Sequence, residues 1–65
     1  MYWIGFRVSD GTRAFVATAY KSHDEAMSAY EQKKGLLQLG DQVTPPLFAD
    51  SEQEALDKMY ATFGH

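Results

Sequence analysis

Residues 2–20 read YWIGFRVSDGTRAFVATAY, two alternating runs divided by Asp10-Gly11. Asp-Gly between such runs is a strong hairpin signal, because a type I′ turn needs φ > 0 at both central positions. A two-residue loop there sets Ser9 opposite Thr12, Phe6 opposite Phe15, Ile4 opposite Ala17 and Trp3 opposite Thr18. Side chains alternate across a strand. One face is then Tyr2, Ile4, Phe6 and Val8 with Phe15, Ala17 and Ala19, which reads as the core. The other is Trp3, Gly5 and Arg7 with Ala14, Val16, Thr18 and Tyr20. Trp, Tyr and Arg are enriched at binding hot spots, so Trp3, Arg7, Val16 and Tyr20 form a candidate interface if that face stays open.

Further along, Ser22 and Glu25 make a capping box, with Asp24 also in the first turn of a helix. Ala26, Ala29, Tyr30, Lys33 and Leu37 follow at helical spacing, while Asp24, Ser28, Glu31 and Gln32 lie on the wet side. The pattern predicts a helix running to Leu39 with Gly40 as its C-terminal cap, although Gly35 weakens it. Pro45 and Pro46 forbid a helix over 41–49 and confine that stretch to an edge strand anchored by Val43, Leu47 and Phe48. Ser51 to Glu54 is a second capping box. Ala55, Leu56, Met59, Tyr60 and Phe63 then form one apolar stripe, with Gly64 as a cap.

The order is β-β-α-β-α. The third strand fits the free side of the first, giving sheet order 3-1-2, and a right-handed crossover places the first helix on one face. The second helix is expected beside it on the same face. The reading is a single α+β domain over residues 1–65, a three-stranded sheet with two helices on one face.

A chain of 65 residues buries only ~60% of the surface it exposes unfolded. It has no cysteine, which excludes disulfides and thiolate metal sites. No apolar run approaches the ~20 residues of a membrane span, and the N-terminus lacks the layout of a secretory signal. A cytoplasmic protein is expected, with no cofactor and no metal. The chemistry-bearing inventory is thin. His23 sits in the first turn of a helix beside Asp24 and Glu25, and neighbours in a helix fan apart instead of converging. His65 is the last residue, and no Ser has the setting of an activated nucleophile. The sequence reads as a non-enzyme.

Charge is more informative. Residues 1–39 carry five basic and four acidic side chains, whereas residues 40–65 carry Asp41, Asp50, Glu52, Glu54 and Asp57 against Lys58 alone. Some of that acidity suits a helix N-terminus, but Asp41 and Asp57 are not explained so. Net negative charge disfavours direct nucleic-acid binding. An acidic surface can instead occupy a basic groove meant for nucleic acid, since steering and complementarity work for a mimic as for DNA. The candidate face is Asp50, Glu52, Glu54 and Asp57, supported by Asp24 and Glu31.

With those acidic residues bunched on a small, cysteine-free α+β chain, the sequence resembles phage-encoded anti-CRISPR proteins in size and charge, without a shared motif. The resemblance implies a DNA mimic in the cytoplasm of a bacterial host, binding a Cas subunit stoichiometrically without catalysis. The alternative is a small structural or regulatory module that dimerises or docks through Trp3, Val16 and Tyr20. A monomer or weak homodimer fits either.

Overall fold

β1 (Tyr2–Arg7) is the strand against which the other elements assemble. In the computed structural model, which describes residues 1–8 and 14–63, it is followed by β2 (Val16–Tyr20), α1 (His23–Gly35), β3 (Gln42–Val43), β4 (Leu47–Phe48) and α2 (Glu52–Phe63). The sheet has order β2-β1-β3, and β4 also pairs with β1. All pairings are antiparallel. The class is α+β as expected, and the predicted third strand does lie on the free side of the first. It is split in two, however, so the sheet has four strands instead of three.

The split follows from the prolines. Val43 faces Phe6 and Leu47 faces Trp3, so Thr44, Pro45 and Pro46 bulge opposite Gly5 and Ile4. Neither proline can donate to the ladder. Thr44 supplies what they lack: its N–H donates to the Gly5 carbonyl at 2.8 Å, and its hydroxyl accepts from the Gly5 N–H at 2.7 Å. Thr44 is fully buried as a result. Beyond the bulge, the Ala49 N–H donates to the Met1 carbonyl, and the Ala49 carbonyl accepts from the Met1 ammonium and the Trp3 indole at 3.1 and 3.0 Å.

The hairpin register differs from the expected one by a single residue. Tyr2 faces Tyr20, Trp3 faces Ala19, Ile4 faces Thr18, Gly5 faces Ala17 and Phe6 faces Val16. The Asp10-Gly11 turn itself lies outside the described residues. A one-residue slip moves every β2 side chain to the other face. Trp3, Gly5 and Arg7 therefore share a face with Phe15, Ala17 and Ala19, and Tyr2, Ile4 and Phe6 share theirs with Val16, Thr18 and Tyr20.

The slip explains the layering. Gly5, Ala17 and Ala19 make a shallow floor, into which the fully buried Met59 of α2 presses. An added Cβ on Gly5 would stand 2.5 Å from the Met59 sulfur. Trp3, Phe15, Ala49, Ala55 and Met59 form this core, with Leu47, Leu56 and Phe63 around it. α1 lies against the other face, where His23 meets the Tyr2 ring at 5.4 Å and the Lys33 ammonium sits 5.6 Å from the Phe6 ring centre. Tyr2 and Phe6 alternate with Trp3 and Gly5, so the two helices occupy opposite faces. The expectation of both helices on one face is corrected: the sheet is the middle of three layers. Ile4, 1% exposed, and the fully buried Ala26 belong to the α1 side.

α1 starts as its sequence requires, with the Ser22 hydroxyl accepting from the Glu25 N–H at 3.2 Å. It stops at Gly35 instead of Leu39. Leu36 is 81% exposed, so a longer helix would gain no burial to offset the ~1 kcal/mol cost of an internal glycine. Gly40 caps no helix. Its φ of 91° serves a turn in which the Asp41 N–H donates to the Gln38 carbonyl. Gly64, the expected cap of the second helix, lies outside the described residues.

Candidate acidic binding surface

The acidic residues of the C-terminal third are placed by the start of α2. Ser51 is the cap: its hydroxyl accepts from the Glu54 N–H at 3.2 Å, and its carbonyl accepts from the Ala55 N–H. The reciprocal half of the expected capping box is displaced by one residue. The Glu54 carboxylate accepts from the Asp50 N–H at 3.2 Å instead of from Ser51. Its other oxygen faces the Lys58 ammonium at 3.2 Å, and that ammonium also donates to the Phe48 carbonyl at 2.7 Å. Glu54 is thereby a clasp joining the β4 end to the second turn of α2. The Asp50 N–H, and after it the Lys58 ammonium, hold the Glu54 carboxyl below the ordinary glutamate range.

Asp50, Glu52 and Asp57 are exposed, and Glu54 is half-buried. Gln53 donates to the Asp57 carboxylate at 2.9 Å, which steadies that side chain on the outer ridge. Lys58, the one cation of residues 40–65, is engaged by Glu54 and Phe48. Asp50, Glu52 and Asp57 thus stay exposed around the first half of α2 with no free cation beside them in that segment, Glu52 and Asp57 standing about 140° apart on the helix. Asp24 and Glu31 are also exposed, but they belong to α1 on the other side of the sheet. The six expected acidic residues divide into a group of four and a separate pair. Asp41 turns inward on its own loop, accepting from the Gln38 N–H at 3.2 Å.

The alternative interface does not assemble. Trp3 is only 8% exposed, covered by α2, and its indole N–H donates to Ala49. Arg7 lies over the Phe15 ring at 4.8 Å and donates to the Gln42 side chain. Val16 and Tyr20 stand on the opposite face, Val16 exposed and Tyr20 half-buried. The register slip separates the four residues, and α2 covers Trp3, while Arg7 is half-buried against Phe15 and Gln42. The expected anchors Val43 and Leu47 are half-buried, while Phe48 is exposed, its ring edge-on to Tyr2 at 5.4 Å. Sequence reading passed over Thr44 and Ala49, although a Thr immediately before two prolines is the natural residue to restore a missing donor and acceptor.

Among the described residues, no three His, Asp or Glu side chains gather to hold a metal ion, and no helix is long and apolar enough to cross a membrane. Comparison with protein-family models, with curated proteins and with solved structures finds no match.

Proposed function

We propose that the protein is a non-enzymatic, protein-binding inhibitor that offers the acidic residues exposed around the start of α2 to a basic, nucleic-acid-binding groove. The observation that carries the reading is the exposure of Asp50, Glu52 and Asp57 around one helix whose only lysine is already engaged. Negative charges held on a rigid element attract a cationic partner over a Debye length, ~8 Å at physiological ionic strength. Opposed charge fixes register and speeds encounter more than it adds raw affinity. A Cas subunit that handles guide or target strands is the partner implied by the resemblance to anti-CRISPR proteins. Asp24 and Glu31, on the far side of the sheet, contribute only to the general field.

The geometry selects the test. Glu54 holds the fold together locally, so its reversal would confuse binding with folding. Glu52→Lys with Asp57→Lys changes the surface by four charge units while leaving the Glu54 clasp in place. Pull-down from bacterial lysate should recover a nucleic-acid-handling complex with the native protein and lose it with the double variant at unchanged circular dichroism. Equal recovery by both removes the charge-mimic reading.

A further inference from the structure

The sheet has two edges, and they are treated differently. On the β3/β4 side, Pro45, Pro46 and the bulge interrupt the ladder, which are devices that blunt an edge against another strand. On the β2 side the sequence is VATAY, without proline, charge or bulge.

The hydrogen-bonding direction of that edge follows from β1. Gly5 exchanges both its N–H and its carbonyl with Thr44, so the odd-numbered residues of β1 point toward β3 and β4. The even-numbered ones point toward β2, and through the pairing of Ile4 with Thr18 the even residues of β2 point back. Phe15, Ala17 and Ala19 therefore direct their backbone groups outward. Phe15 confirms this direction by donating its N–H to the Tyr60 hydroxyl at 2.9 Å. Among the described residues nothing takes the N–H and carbonyl groups of Ala17 and Ala19 in that way.

We infer that this edge pairs with the same edge of a second copy, β2 against β2 antiparallel about a two-fold axis at Thr18. The strand is self-complementary in that register. Ala17 of each copy exchanges hydrogen bonds with Ala19 of the other, which uses all the outward groups of both residues. Thr18 meets Thr18, and Val16 meets Tyr20 twice, pairings of the kind that stabilise a sheet. The contact covers Val16, now 65% exposed, and brings no charge of the strand against another. It is isologous, so it closes at two copies. A five-residue edge is small beside the ~1,200 Å² of a stable interface, so the dimer is weak and concentration-dependent. The inference is independent of the acidic surface.

Sedimentation equilibrium on the native protein, from micromolar to millimolar, should show reversible monomer–dimer exchange. Thr18→Lys puts two like charges on the axis from an exposed position, and should return the protein to monomer throughout that range. Ala17→Pro removes only an outward N–H, leaves the β1 ladder in place, and should do the same. A native protein that remains monomeric at millimolar concentration overturns the pairing. So does a dimer that persists in both variants while their circular dichroism remains native, whichever surface then holds it.

Discussion

Gly5 shows how a single residue sets the distance between layers. The absence of a side chain there lets the Met59 sulfur approach the strand, and Met59 is fully enclosed. Gly5→Ala forces the thioether or the whole helix to move, and should destabilise the protein by about 1–3 kcal/mol, the usual cost of overpacking. Combining it with Met59→Ala should give a loss smaller than the sum of the two, measured by urea denaturation, because one change makes the space that the other fills. Additive losses would mean the two residues do not share that space. Glu54 makes a second prediction at this scale. Its carboxyl titrates lower folded than unfolded, so its contribution is complete above the ordinary glutamate value of 4.5 and disappears as pH falls through the lowered folded value. The denaturation midpoint of native protein should therefore drop more steeply than that of Glu54→Gln on acidification below about pH 5, and parallel curves would exclude the clasp.

At the scale of elements, the chain's punctuation was readable and its pairing was not. Ser22 and Ser51 announce helix starts that the structure reproduces within a residue, and of the expected stripe Ala55, Leu56, Met59 and Phe63 face the core while Tyr60 is exposed, its ring edge-on to Phe15 at 5.3 Å. The hairpin register was hidden because both faces of Tyr2 to Tyr20 carry large apolar side chains. Alternation then ranks two registers almost equally, and the Asp10-Gly11 turn favours the one that is not found. Gly5 between Trp3 and Arg7 was the available sign, since a strand glycine often marks close approach of another element. The divided third strand is testable through Thr44. Thr44→Val keeps the shape but leaves the Gly5 N–H buried without an acceptor, and should cost about 1–3 kcal/mol in thermal or urea unfolding. Thr44→Ser, which keeps the hydroxyl, should recover most of the loss.

For the molecule as a whole, putting a helix on each face of the sheet separates what the sequence had joined. The acidic residues at α2 and the pair Asp24 and Glu31 on α1 lie on opposite sides of the sheet, so under the proposed reading one flat partner surface meets the first without the second. Reversing Asp24 and Glu31 to Lys should reduce partner affinity only slightly, by a uniform electrostatic effect that fades at high salt, whereas Glu52→Lys with Asp57→Lys should abolish binding. A pair of reversals with equal effects would require a groove that encloses the protein. Composition and the bunching of charge were legible without coordinates. Which charges share a side was not, because it depends on the layer to which each helix is assigned, and that depends in turn on a one-residue register.

The burial of Trp3 gives the protein a spectroscopic reporter with a defined field of view. It is the chain's single tryptophan, and its indole is held by the Ala49 carbonyl beneath α2. Its emission should be blue-shifted and poorly quenched by iodide in the native state, moving to the red when the α2 layer lifts. The α1 layer, across the sheet, is outside that view. Damage confined to α1 would leave the fluorescence native while amide exchange in that helix accelerates, so the two signals together would tell which side of the sheet opens first.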